Sequence, residues 1–187
     1  MASVSDFRNG MTIKLNGEIW IVTEFQHVKP GKGAAFIRTK LKHLITGKVI
    51  DHTFRLSDTV EEVRLEEREM QYLYSSGDEI HLMDMETYDQ IAISQELLGD
   101  QVKFLKEGNT IKVQFLEGRP VKASLPTFIE LKVIQAPPGF KGDTVSNLQK
   151  AVTLETGAEI QVPLFIKEGD VIKIDTRDGR YIERVGS

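Results

Sequence analysis

Apolar and polar residues alternate with a period of two along much of the chain, the pattern of strands with one buried and one solvated face. Phe36 Ile37 Arg38 Thr39 Lys40 Leu41 Lys42 is one such run. Glu18 Ile19 Trp20 Ile21 Val22 is another, entered from Asn16 Gly17, the strongest two-residue hairpin signal. Between them His27 Val28 Lys29 Pro30 Gly31 Lys32 Gly33 Ala34 Ala35 reads as a tight projecting loop, with a fixed proline φ and glycines free to take positive φ on either side of a lysine. Turn signals recur at Thr46 Gly47, Ser76 Gly77 Asp78, Glu117 Gly118, Pro138 Gly139 and Asp178 Gly179, a spacing that predicts small β-barrels or sandwiches. Only Glu86 to Gln90 and Ser94 to Leu98 read as helical, the second with Ser94 as N-cap and Gly99 as a stop.

The chain also repeats itself. Phe104 Leu105 Lys106 Glu107 Gly108 Asn109 Thr110 Ile111 Lys112 Val113 returns as Phe165 Ile166 Lys167 Glu168 Gly169 Asp170 Val171 Ile172 Lys173 Ile174, an offset of 61 residues that carries Gly118 Arg119 onto Gly179 Arg180. Two related barrels of about 60 residues are expected after residue 64. A barrel that small buries a limited core and leans on its neighbours. Five-stranded barrels of the oligonucleotide-binding type suit the length. The 187 residues then divide at 64 and 128 into 1–64, 65–128 and 129–187.

Net charge is only −4, but its distribution is uneven. Ten basic against seven acidic residues give the first segment +3; six against twelve give the second −6; eight against nine give the third −1. Between Phe25 and Ile50 there is no carboxylate, while Lys29, Lys32, Arg38, Lys40, Lys42 and Lys48 supply six positive charges with His27 and His43 beside them. Such a stretch is either a phosphate-contacting face or a lysine-rich strand edge that blocks aggregation.

Catalytic apparatus is scarce. Without cysteine there are no disulfides, thiolate metal sites or cysteine nucleophiles. Glycine motifs for a phosphate loop or a dinucleotide are incomplete, since Lys32 and Lys48 precede Gly33 and Val49. His27, His43, His52 and His81 have no metal-ligand spacing, and Asp84, Glu86 and Asp89 lack the glycine of a calcium loop. Neither a metal nor a cofactor is expected, and the chain is read as a non-enzyme. No apolar run approaches the roughly 18 residues of a membrane span, and Asp6 and Arg8 fall where a signal peptide needs apolar residues. A cytoplasmic protein is expected. Lys32 is the exceptional residue, lifted between glycines where an enzyme or an RNA cleft could accept the loop. Local sequence leaves open that it is an ordinary surface lysine.

At these residues the sequence closely resembles the bacterial elongation factor P family, related to the hypusine-containing eukaryotic and archaeal factor. The resemblance covers essentially the whole chain. It rests on Asp6 Phe7 Arg8 Asn9 Gly10, on His27 to Phe36, on Met70 Gln71 Tyr72 Leu73 Tyr74 and Met83 Asp84 Met85 Glu86 Thr87 Tyr88. In the last third it rests on Lys141 Gly142 Asp143 Thr144, Lys150 Ala151, Glu155 Thr156 Gly157, Val162 Pro163 Leu164 Phe165 and Glu168 Gly169.

The resemblance implies an all-β fold: an SH3-like (KOW-like) N-terminal barrel at 1–64, an acidic central OB-fold barrel at 65–128 and a C-terminal OB-fold barrel at 129–187, in an elongated tRNA-like arrangement. It implies a monomeric translation factor that binds both ribosomal subunits between the peptidyl and exit sites and restarts synthesis stalled at consecutive prolines. Carried over, Lys32 is the loop-tip lysine extended by a separate modifying enzyme, with Lys29, Gly31 and Gly33 shaping its contact with the acceptor end of peptidyl-tRNA. Gly142, Asp143 and Thr144 match the loop near the exit-site codon, and Tyr181 and Arg184 the Tyr-x-x-Arg used near RNA. Phosphate contact by Arg38, Lys40 and Lys42 is inferred from charge alone. The competing expectation is a paralogue or general RNA-binding β-barrel protein without proline-specific activity.

Overall fold

The computed structural model describes residues 1–138 and 148–187. Strands dominate, and the described residues contain short 3-10 turns but no α-helix. Among the described residues no helix is long and apolar enough to cross a membrane.

Six strands form the first sheet: β1 (Ala2–Ser3), β2 (Thr12–Leu15), β3 (Glu18–Val28), β4 (Phe36–His43), β5 (Val49–Arg55) and β6 (Thr59–Glu62), in the order β1-β6-β2-β3-β4-β5. Asn16 and Gly17, both at positive φ, make the tight β2–β3 hairpin that their sequence predicts. Period-two alternation turns Ile37 and Leu41 inward onto Ile13, Trp20, Val22 and Phe54, and Phe7 meets Phe54 edge-on at 5.2 Å. Phe7 and Arg8 of the Asp6–Gly10 motif thus serve the fold, the first in the core and the second paired with Glu62.

The next five strands are β7 (Glu66–Ser76), β8 (Glu79–Asp84), β9 (Gln90–Ser94), β10 (Thr110–Leu116) and β11 (Arg119–Ser124), in the order β11-β10-β7-β8-β9. The last five are β12 (Phe128–Gln135), β13 (Gln149–Leu154), β14 (Glu159–Pro163), β15 (Val171–Asp175) and β16 (Arg180–Gly186), in the order β14-β13-β12-β15-β16. Read from β16, that order is the same topology again, and the repeat in the sequence is a repeat of atoms. Gly108 N donates to Tyr72 O at 3.0 Å, and Gly169 N to Val133 O at 2.8 Å. Asn109 Oδ1 accepts from Lys106 N at 2.8 Å, and Asp170 Oδ2 from Lys167 N at 2.9 Å. Even the irregularities correspond: Leu73 is an extra residue between the pairs Tyr72–Leu82 and Tyr74–His81, and Ile134 between Val133–Leu154 and Gln135–Thr153. The molecule is all-β, built of three small barrel domains. By compactness the chain separates into Met1–Glu67 with Gln114–Lys122, and Arg68–Val113 with Ala123–Ser187.

The helical expectations fare differently. Ser94 caps a 3-10 turn, Gln95–Leu97, by accepting from Glu96 N at 3.3 Å. Gly99, at a positive φ of 58°, follows the Leu98 cap that ends it, and a separate 3-10 segment then runs Gly99–Phe104. Glu86 to Gln90 is no helix: Asp84 Oδ1 accepts from Glu86 N at 2.8 Å and Thr87 N at 3.1 Å, Tyr88 takes a positive φ of 63°, and β9 begins at Gln90. A carboxylate that binds the next amides competes with helical hydrogen bonding. Those amides, and then Arg68, hold the Asp84 carboxyl below the usual range.

Gly99–Phe104 is the joint of the second compact unit. Gln101 donates to Thr176 O at 3.4 Å and accepts from Leu125 N at 2.9 Å, and Thr156 Oγ1 donates to Lys103 O at 2.7 Å. Phe104 is 1% exposed and lies so close to the Asp178 Gly179 turn that a Cβ on Gly179 would sit 3.1 Å from Phe104 Cζ.

Truncating Phe104 to alanine is expected to cost about 3–5 kcal/mol in denaturant unfolding, and Gly179→Ala about 1–3 kcal/mol from its positive φ and the crowded ring. A cost for Phe104→Ala no larger than for an exposed residue would refute the joint. Asp175 gives a pH test. The Arg177 side chain, then its backbone N–H, holds the Asp175 carboxyl at about 2. Its folded value lies below the unfolded one of about 3.9, so its stabilisation is complete above that pH and is lost as pH falls toward 2. Melting midpoints from pH 5 to 2 should therefore fall more steeply for the parent than for Asp175→Asn.

Candidate nucleic-acid interface

Arg38, Lys40 and Lys42 alternate with buried Ile37, Thr39 and Leu41, so the three cations share the solvated face of β4. Thr39 is anchored inward by its hydroxyl, which donates to His52 O at 2.8 Å. The face is less positive than its sequence, because folding brings in carboxylates from either side of the acid-free stretch. Lys40 lies opposite Glu24 on β3 and Asp51 on β5, and its Nζ is 3.2 Å from Glu24 Oε2. A bulge at Thr23 is responsible. Trp20 and Val22 face the core, and strict alternation would send Glu24 after them. The extra residue instead turns Phe25 toward the core and Glu24 out beside Lys40. Arg38 faces Gln26 and Thr53, and Lys42 faces Ile21 and Val49.

Within the same compact unit Lys42 acts on the half-buried Lys122 of β11; burial first, then Lys42, pushes the Lys122 ammonium below its usual value. Composition gives no sign of this cation, which lies in the acidic segment. His43 proves structural, its Nδ1 accepting from Thr46 N at 3.0 Å and Ile45 N at 3.3 Å while Trp20 meets it edge-on.

Lys29, Pro30, Gly31, Lys32 and Gly33 join β3 to β4. Lys32 is exposed, and no carboxylate among the described residues pairs with it. Only one of its flanking glycines uses the conformation reserved for glycine: Gly33 has a φ of 107°, whereas Gly31 has no positive φ, and a Cβ placed there would meet no atom within 4 Å.

Gly142, Asp143 and Thr144 lie outside the described residues. Tyr181 and Arg184 are brought together on β16 by a second bulge. Three positions apart, they would point to opposite faces of a regular strand. With Ile182 as the extra residue, Tyr181 pairs with Ile174 and Arg184 with Ile172, which share one face. Phe165, which motif reasoning passes over as a site residue, stands beside both: its ring centroid is 6.5 Å from that of Tyr181 and 5.8 Å from Arg184 Cζ. Tyr181 also borders a cleft of about 390 Å³ with Lys103, Gln149, Gln161 and Arg180.

Comparison with known proteins accounts for nearly the whole chain. Residues 3–60 match the elongation factor P KOW-like domain, 65–123 the elongation factor P OB domain and 129–184 the elongation factor P C-terminal domain. Elongation factor P of Pelotomaculum thermopropionicum is 55% identical over 99% of this chain and 100% of its own length. The chain belongs to the elongation factor P family. It is a translation elongation factor by that membership, and elongation factor P of Carboxydothermus hydrogenoformans, 51% identical over the same shares, is a further relative. Among solved structures, a translation initiation factor 5A family protein from Naegleria fowleri shares the fold with a TM-score of 0.54 at 18% identity, covering 66% of this chain and 96% of its own. Translation initiation factor 5A from Methanococcus jannaschii does so at 0.50 and 18%, over 65% and 94%.

The unequal pairing of the β4 cations predicts unequal roles. Arg38→Gln and Lys42→Gln should each flatten the salt dependence of RNA or ribosome binding by about 0.7–0.9 in log–log slope, the loss of one phosphate contact. Lys40→Gln should flatten it less. Equal slopes in all three variants would place the RNA face elsewhere.

Proposed function

We propose that the chain binds the ribosome between the peptidyl and exit sites and promotes peptide-bond formation at consecutive prolines by positioning peptidyl-tRNA. The observation that carries this reading is Lys32, an exposed cation at the tip of the β3–β4 hairpin with no carboxylate partner among the described residues, beside a face presenting Arg38 and Lys42. Proline is slow in this reaction because its ring restricts the chain and its nitrogen is secondary. A reaction between two held substrates depends steeply on orientation, so a factor that straightens the peptidyl end accelerates it without a nucleophile or base of its own. Lys29, Gly31 and Gly33 shape the loop against the acceptor end, and Lys32 reaches toward the reacting ester, extended by a separate modifying enzyme. Arg38, Lys42 and, through its pairing with Glu24, to a smaller extent Lys40 hold tRNA phosphates. Gly142, Asp143 and Thr144 approach the exit-site codon, while Tyr181 and Arg184 contact RNA. The protein works in the cytoplasm as a monomer.

Lys32→Ala is expected to leave the melting temperature within about 1 °C of the parent, since an exposed tip side chain contributes little to stability. It should remove most rescue when a template encoding consecutive prolines is translated with and without the protein. Intact mass and peptide mapping of residues 29–38 from the native host would identify any extension on Lys32. Equal rescue by parent and variant would overturn the role of Lys32. Tight RNA binding by the parent without any proline-specific rescue would favour the general RNA-binding reading.

A further inference from the structure

The internal repeat supplies a control for Phe165. Its counterpart Phe104 occupies the same position before the same glycine turn and is 1% exposed, covered by the Gly179 turn of the following barrel. Phe165 is 55% exposed. If it were merely the uncovered end of a series, its surroundings would be indifferent, yet three features organise them. Tyr181 presents its ring at 79° to Phe165, whose side chain stays largely exposed beside it. The guanidinium of Arg184 is 5.8 Å from the ring centroid and is held by Asp170, 3.8 Å away, which is itself 4% exposed and fixed by the Lys167 N–H. The Ile182 bulge is what brings Tyr181 and Arg184 to the same side.

We propose that Phe165, flanked by Tyr181 and Arg184, is a stacking platform for an unpaired RNA base. In the first repeat the Gly179 turn packs close against the phenyl ring; in the second a planar base would cover the ring that is left exposed. Aromatic rings beside a guanidinium are the usual means of holding unstacked bases, because every base has a π-face while the cation serves the adjoining phosphate. Asp170 acts as a positioning residue, directing Arg184 toward the ring. The cleft bordered by Tyr181 offers the side-chain amides of Gln149 and Gln161 for a neighbouring base edge. This inference deepens the RNA contact assigned to Tyr181 and Arg184 and rests on it for its ligand.

The test uses the full chain and two probes, hexa-adenylate and hexa-uridylate RNA. Stacking contributes about 1–3 kcal/mol per base, so Phe165→Ala should weaken hexa-adenylate binding by about 5- to 150-fold, measured by fluorescence anisotropy, and Phe165→Tyr should keep it. Phe165→Trp should report stacking directly through quenching of its added indole, more strongly with adenylate than with uridylate, while native Trp20 stays silent in its core. That variant decides the matter even if Phe165→Ala folds poorly. Unchanged binding by a folded Phe165→Ala, or no quenching in Phe165→Trp, overturns the proposal. Loss of ribosome binding in Phe165→Ala with unchanged hexanucleotide binding also overturns it, in favour of a protein contact. Ile45→Ala, at an exposed residue with no assigned role, should bind both probes like the parent, and because the proline assay is read on Lys32→Ala and the platform on Phe165 variants, the two failures are told apart.

Discussion

Side chains along a strand alternate between faces, so any cluster that needs neighbours at odd spacing requires an extra residue in the ladder. The geometry of both candidate RNA surfaces depends on this constraint. At Thr23 the bulge keeps Glu24 out of the core and turns Phe25 into it. A strand without it would bury a carboxylate against Trp20 and Val22, an arrangement costing several kcal/mol per unpaired charge. At Ile182 the bulge turns a three-residue spacing into a shared face. Its consequence is visible on the surface, where Ile182 and Ile134, both extra residues in their ladders, remain exposed.

A second constraint is size. A barrel of about 60 residues buries a limited core and is marginal by itself, and in the second compact unit the Gly99–Phe104 segment adds a buried ring and hydrogen bonds to backbone groups. The two repeats therefore keep the same turn and diverge in what lies over it. One phenylalanine has become structural glue, and the other is left free to be used. Gln114 and Asp175 diverge similarly: Asp175 is fixed by Arg177, while Gln114, at the equivalent position, buries its Oε1 without a hydrogen-bond partner among the described residues.

Much of the fold is legible because its signals are local. Asn16 Gly17 dictates a hairpin, the alternation from Phe36 to Lys42 assigns faces residue by residue, and self-comparison finds the repeat without knowledge of its fold. The 3-10 joint is illegible because its value lies in partners up to 75 residues away, such as Thr176 for Gln101. Glu86 to Gln90 is a weak helix signal, with Thr87, Tyr88 and Asp89 at its centre, and the Asp84 side chain and the positive φ of Tyr88 decide against it. The basic stretch is legible as a face, but its sequence overstates its charge. Its linear freedom from acid ends at Glu24 and Asp51, the two residues that antiparallel pairing folds onto Lys40.

The loop carrying Lys32 joins these threads. Strand β4 is paired along its length with β3 on one side and β5 on the other, so the base of the loop is fixed. At the tip Lys32 is exposed, and Gly33 takes a positive φ. On the proposed reading the paired base sets where the cation is delivered, and orientation of the held substrates governs the rate. Gly31 has no conformational reason to be glycine. What glycine does provide there is the absence of a side chain next to Lys32, which on the proposed reading leaves the lysine accessible.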